Sequence, residues 1–593
     1  MATAKGDFTR RLSRIYGMYT GGFVAFVIVL AIAEQMGLPD AWIGYVFMAA
    51  TIGLYAMIGI MSRTAETDEY YVAGRKVPAL FNGMAVGADW MSAASFIGMA
   101  GTLYAQGYDG LAFVMGWTGG YVLVALFLAP YLRKFGQYTI PDFLGARYGG
   151  NLPRTIGIVC AITASFTYVI AQLYGAGIIT SRFLGIDLAT GVWVGLVGVL
   201  VCSLMGGMRA VTWTQVAQYI ILIIAYLVPV VWLSLKVTGN PVPQLAYGEV
   251  LQRIGELEEQ MVVTQRHVSP FVVNDRVNFI VLTFCLMVGT AALPHILMRF
   301  FTTPSVREAR KSVGWSLFFI FLLYFTAPAY AAFAKLEVYT NVIGQSIVSL
   351  PGWVASWTKV GLVSICDSPT AMQTVKGCTA SGNGDGILQL AELVLNADAI
   401  VLATPEIAGL PYVIAGLVAA GGLAAALSTA DGLLLTISNA LSHDMYYKMV
   451  NPNASARKRL TVARILLLGV AAIAAYAASH APATILSIVA WAFSIAGASF
   501  FPALTLGIFW KRANRPGAVA GMIVGFAVTV FYLVNVKFLG MTPWFGIKDV
   551  SAGIFGIPLG FLTIIIVSLI TREPSQEIKD MVEDLRYPNL TKA

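Results

Sequence analysis

The feature that most limits how this chain can fold is a succession of apolar stretches, each long enough to cross a bilayer. They lie near 17–36, 41–61, 78–107, 112–135, 155–182, 187–206, 213–236, 273–300, 312–337, 407–436, 459–478, 484–509, 516–537 and 549–571. A helix needs roughly 20 apolar residues to span the hydrocarbon core, and its backbone must satisfy its own hydrogen bonds there. About fourteen such spans predict one all-α polytopic membrane domain. Only 11% of the residues are charged, about half of what a soluble domain carries. The segments between and after the spans, chiefly 237–272, 338–406 and the tail beyond 571, are too short for a separate catalytic or signalling domain of ordinary size.

The net charge of +8 would suit nucleic acid if it were gathered on one surface. Instead it is sorted by loop. With the N-terminus in the cytoplasm and the spans alternating, 28 of the 38 Lys and Arg fall on the cytoplasmic side. That is the positive-inside pattern. The expectation is a multi-pass protein of the inner (plasma) membrane, surrounded by lipid, with both termini cytoplasmic and no nucleic-acid partner. The first span follows basic residues but lacks a small-residue cleavage site, so it reads as a retained helix. Cys160, Cys202 and Cys285 fall inside spans as packing residues. Cys366 and Cys378 fall in an outside loop, where an oxidising compartment allows them to pair.

The third span contains "NGMAVGADWMSAASFIGMAG", residues 82–101. An aspartate, two serines and repeated glycines make a poor lipid-facing helix. The eighth span is also interrupted, in "CLMVGTAALPHILMRF". Spans three to seven and eight to twelve are two sets of five, and an odd number per set makes them enter the membrane from opposite sides. Gly/Pro-interrupted spans at matching positions of two inverted halves point to a transporter binding site. The expected organisation is two flanking helices in 1–77, a first five-helix repeat in 78–236 and an outside loop in 237–272. A second repeat follows in 273–509, carrying an outside insertion at 338–406, and 510–593 hold two C-terminal helices and a cytoplasmic tail. Breaks free carbonyl oxygens, which suit a small hard cation, and half-helix N-termini suit an anion.

The tenth span supplies hydroxyls. In "GLVAAGGLAAALSTADGLLLTISN", Ser428 and Thr429 are adjacent and Ala425 lies one turn earlier. Two hydroxyls about 100° apart share one point only in the groove between them. Such oxygens suit an alkali cation, although Ser and Thr in membrane helices also bond back to the i−4 carbonyl or join helices.

Three stretches, "GADWMSAASFIGMAGTLYAQGYDG", "GTAALPHILMRFFTTPSVREARKSV" and "NALSHDMYYK", give the chain a resemblance to the sodium:solute symporters, and within them to the acetate-type cation symporters. The likeness covers roughly residues 70–335 and 405–515. It implies the leucine-transporter-type inverted five-helix repeat with flanking helices. It also implies a sodium site built from the carbonyls of Ala88, Met91 and Ala425 and the hydroxyls of Ser428 and Thr429. Where some members carry an acidic residue beside that site this chain has Trp90, with Asp89 one position earlier. Both hydroxyls are kept, which favours sodium over proton coupling. A solute site at the midplane is expected between the breaks, with Asp89, Ser92, Ser95, Gln172, Tyr174, Gly289, Thr290 and His295 as candidates. Arg299 reads as part of a basic cytoplasmic loop, so no midspan cation is expected for a bulky dianion. A small monocarboxylate such as acetate or pyruvate follows, moved inward with sodium. The resemblance also admits a small two-helix membrane subunit.

The outside insertion holds "SGNGDGILQLAE". Against the calcium-loop pattern Asn383, Asp385, Ile387, Gln389 and Glu392 occupy positions 3, 5, 7, 9 and 12, while position 1 is Ser381 instead of Asp. The alternatives are a weak Ca2+ loop, stapled by Cys366–Cys378, or a Gly-rich turn capping a short helix. Other functions remain as alternatives: symport of an amino acid or sugar, or a transporter-like sensor. Four histidines and the lack of a carboxylate cluster within the spans argue against an enzyme.

Overall fold

The computed structural model describes residues 2–64, 66–367, 378 and 382–587, without the side chains of 2–6, 202, 205 and 206. Among the described residues, twelve helices are long and apolar enough to cross a membrane. The sixth span adds a shorter apolar helix, Leu188–Val201. The third is divided into Ala79–Trp90, a π-turn at Ala94–Gly98, and Met99–Gln106.

Burial sorts the spans into core and flank. The apolar window of the tenth span (Tyr412–Val450) is 100% buried and that of the twelfth (Ile485–Phe509) is 89% buried, whereas the first (Asp7–Gln35) is only 11% buried. A helix hidden all round by other helices needs small residues for close approach, and the tenth has them in "GLVAAGGLAAAL". The packing pattern is two-fold. Span three packs on span nine as span eight packs on span four, and span ten packs on the continuous element of spans six and seven as span five packs on spans eleven and twelve. Each pair becomes the other when the count is shifted by five, as an inverted five-helix repeat requires.

Each break has a local cause. In span eight Pro294 has no N–H to give, and Leu293 before it is pushed to extended backbone (φ −70°, ψ 117°). The helix Arg276–Thr290 therefore stops and a short helix, Pro294–Met298, restarts. Spans six and seven meet at Gly207, with φ 57° and ψ −145°, where a Cβ would lie 2.5 Å from the Tyr70 ring; only glycine serves there. The expected insertion at 338–406 folds locally. It contains a helix Gly352–Lys359 and two short antiparallel strands, Val363–Ile365 and Leu393–Leu395, with Val363 opposite Leu395.

Candidate functional site

The helix Ala79–Trp90 ends one turn too early to satisfy its last carbonyls. The amides that would reach back to Ala88 and Asp89 are diverted. Ser92 N–H bonds to the Trp90 carbonyl (2.8 Å), and Ala93 N–H bonds to Gln172 Oε1 (2.9 Å). Span ten fills the gap. Ser428 Oγ donates to the carbonyls of Ala88 (2.7 Å) and Ala425 (3.0 Å). Thr429 Oγ1 donates to those of Asp89 (2.9 Å) and Ala425 (3.3 Å). Ala88, Ala425, Ser428 and Thr429 are thus brought together. The carbonyl of Asp89 joins them through Thr429; Met91, also expected, is the residue that caps this helix, at φ −77°, ψ 66°. Three carbonyls and two hydroxyls, all buried and uncharged, form a donor set that fits a hard alkali cation.

Beside these oxygens lies a buried ion pair. Arg299 Nε donates to Asp89 Oδ2 at 2.9 Å, and both side chains are 0% exposed. Arg299 Nη1 also reaches Thr212 Oγ1 at 3.1 Å. This corrects the reading of Arg299 as a loop cation, and it puts Asp89, a solute candidate, in an ion pair through one carboxylate oxygen. The proline break shortens span eight, and the restarted turn carries Arg299 inward to meet a carboxylate 210 positions away in sequence. Gln215 Nε2 donates to the Ser428 carbonyl at 2.7 Å. Asp431, one turn beyond Ser428 and fully buried, accepts from Ser203 Oγ. Asp89 and Asp431 are both fully buried within the spans and lie within electrostatic reach of each other. Asp431 and Gln215 were missed. The only signal for Asp431 was a carboxylate two residues after Thr429 in an apolar helix.

On the other side of the break the walls are aromatic. Phe493 is ringed by Trp90, Trp117 and Tyr168, with centroids 5.8–5.9 Å away. Tyr168 OH donates to Ser92 Oγ (3.0 Å), Ser95 Oγ pairs with Tyr324 OH (2.9 Å), and the His295 ring lies 5.5 Å from that of Tyr168. Gln172 Nε2, Trp117 Nε1 and both His295 ring nitrogens are buried and have no hydrogen-bond partner among the described residues. Ser92, Ser95, Gln172 and His295 therefore gather here. Three candidates do not. Gly289 packs on span twelve, where a Cβ would lie 2.5 Å from the Phe493 carbonyl. Thr290 bonds back to the Leu286 carbonyl (2.7 Å) against Gly120. Tyr174 is two residues from Gln172, on another side of its helix, and within electrostatic reach of Asp398.

In the insertion Cys366 and Cys378 are joined, with Cα atoms 5.7 Å apart. The calcium-pattern oxygens are engaged by the turn itself. Asp385 Oδ1 accepts from Ile387 N–H (2.8 Å), Asn383 Oδ1 from Asp385 N–H (3.1 Å), and Glu392 from the N–H groups of Gln389 (2.9 Å) and Asn383 (3.3 Å). Gln389 and Glu392 form a reciprocal capping box. Ser381 lies outside the described residues. Nearby, Asp398 is buried beside the second half of span three, next to Gly98. Burial pushes its carboxyl up to about 7, against the N–H of Ile485.

The profile of the sodium:solute symporter family matches residues 70–350 and 389–525. The chain belongs to that family. The gap between the matched segments falls within the insertion at 338–406, so the disulfide and the Gly-rich turn lie outside the matched core. An uncharacterized symporter of Cupriavidus necator is 46% identical over 99% of this chain and 100% of its own. Among solved structures, a Na+-coupled sialic acid symporter in a substrate-bound outward-open state has a TM-score of 0.64 at 17% identity, over 90% of this chain and 99% of that one. The transporter Mhp1, of the nucleobase-cation-symport-1 family, has a TM-score of 0.46 at 13% identity, over 88% and 100%. Membership makes this member a multi-pass sodium-coupled symporter.

Proposed function

We propose that this symporter moves a small monocarboxylate, of acetate or pyruvate size, into the cell with sodium across the plasma membrane, both termini being cytoplasmic. One observation carries the reading. The carbonyls freed by the break in span three meet the hydroxyls of span ten on one side, and an aromatic cage holding neutral donors lies on the other. Sodium would take the oxygens of Ala88, Asp89, Ala425, Ser428 and Thr429. A carboxylate would take the N–H groups of Gln172, Trp117 and His295, with the hydroxyls of Ser92 and Ser95 beside them. Arg299 is committed to Asp89, so the solute charge is balanced by the sodium ion close by. This couples the two cargoes electrostatically, because in a buried medium each lowers the cost of burying the other. The self-capped outer turn gives calcium no part in this reading. A two-helix subunit would join it only as an accessory, and co-purification from the native membrane tests that.

The test is uptake into proteoliposomes under an imposed sodium gradient. Labelled acetate and pyruvate are offered against unlabelled amino acids, sugars and longer carboxylates. Sodium-driven monocarboxylate uptake, competed only by other short carboxylates, is the expected result. Competition by a sugar or an amino acid instead would transfer the cage to that solute, whose apolar faces the aromatic walls would also suit.

A further inference from the structure

Well away from the sodium oxygens, the end of span ten carries His443 and Asp444, in the stretch "NALSHDMYYK". His443 lies 14 residues past Thr429, about 20 Å along a helix axis. There they meet Asp142, from the helix Ile140–Tyr148 that links spans four and five. A carboxylate oxygen of each aspartate and a ring nitrogen of His443 lie within 4.8 Å of one another, and all three side chains are buried. Nothing in the symport reading uses them.

We propose that Asp142, His443 and Asp444 form a site for a borderline divalent cation of the zinc, cobalt or manganese class. The chemistry of the donors is the first reason. One imidazole and two carboxylates are the mixed set such ions prefer, too hard for copper(I) and too nitrogen-bearing for calcium. Open valence is the second. Neither ring nitrogen of His443 and not the Oδ2 of Asp142 has a hydrogen-bond partner among the described residues. Geometry is the third. His443 Nε2 stands 3.6 Å from Asp142 Oδ2, too far for a hydrogen bond. It is close to the edge of a tetrahedron around an ion with bonds of roughly 2.0–2.2 Å. The surroundings complete a typical support. Thr139 Oγ1 donates to Asp444 at 2.8–2.9 Å, and Arg154 Nη2 holds the other oxygen of Asp142 at 3.2 Å. Such outer partners fix the ligands in place. The rings of Tyr71 and Tyr138 cover His443, with centroids 5.0 and 5.2 Å away. Lys448 is exposed and contributes only a screened field. A bound ion would pin the linking helix to span ten, the helix that carries Ser428 and Thr429.

Cobalt(II) added to the purified, tag-free, chelator-stripped protein in detergent tests this. The expected result is saturable binding of one Co2+ per chain with visible ligand-field bands, displaced by Zn2+. Asp142→Asn should weaken it at least tenfold. His443→Cys should keep binding and add an intense near-ultraviolet thiolate-to-cobalt band, which reports the ligand directly even if His443→Ala fails to fold. His480→Ala, at an exposed histidine, should change nothing. Absence of saturable Co2+ binding in the folded wild type, or a His443→Cys spectrum without the thiolate band, would overturn the proposal.

Discussion

Replacing Arg299 with methionine should cost this protein far more than one surface charge. The side chain is fully buried, and its Nε lies 2.9 Å from Asp89 Oδ2. Arg299→Met keeps most of the packing volume but leaves the Asp89 carboxylate unpaired in the interior. Breaking a buried pair from one side costs roughly 3–5 kcal/mol, because the orphaned charge stays desolvated. In a chain of this size each kcal/mol moves the melting temperature by about 2 °C or less, so a fall on the order of 5 °C is expected. Asp89→Asn should lose a comparable amount by orphaning the guanidinium, which keeps only Thr212 and Met208. The double variant Asp89→Asn/Arg299→Met orphans neither charge and should recover more than half of either loss, a coupling well above 1 kcal/mol. Thermal unfolding in detergent at fixed sodium reads all four corners of the cycle. Additive losses would mean that the two groups act independently, and the buried-pair reasoning would be wrong.

Gly432→Ala places a Cβ 2.4 Å from Asp89 Oδ1; it should displace the helix end that presents the Ala88 and Asp89 carbonyls and weaken sodium activation of uptake by about tenfold, or 1.4 kcal/mol. Gln172→Ala removes the acceptor of Ala93 N–H at about 1–2 kcal/mol, and should raise the KM for the solute roughly 5- to 30-fold in initial-rate uptake. Asp398 keeps its proton in the fold up to about pH 7, whereas the unfolded chain releases it near pH 4. Its contribution to stability is therefore full below about pH 4 and is lost as pH rises toward 7, and Asp398→Asn should flatten that part of the melting profile.

The parts of the site that could be read in sequence were those whose cause is local. Glycine, proline and polar residues inside apolar runs marked both breaks, and the adjacent hydroxyls of Ser428 and Thr429 marked the partner helix. The misreadings share a different cause. A cation near the end of a span looks like a loop cation, and only the tertiary meeting of Arg299 with Asp89 shows that it has been drawn inside. Small residues serve both unwinding and close packing, so Gly289 and Thr290, which seat span eight against its neighbours, resembled ligands. That the carbonyl of Asp89 joins the set depends on where the helix lets go, and there Gln172 on another span captures Ala93 N–H. The insertion at 338–406 followed a metal-binding pattern, yet the same Asp, Asn and Glu oxygens cap their own turn.

The central claim is that span ten's two hydroxyls and the freed carbonyls of span three hold the coupling ion. Its most direct test is the sodium dependence of monocarboxylate uptake into proteoliposomes, for wild type and for Ser428→Ala/Thr429→Ala, with a protonophore present to remove any pH gradient. The account predicts saturable sodium activation in the wild type and its loss in the double variant, with the variant still folded. Sodium activation unchanged in the double variant would contradict it.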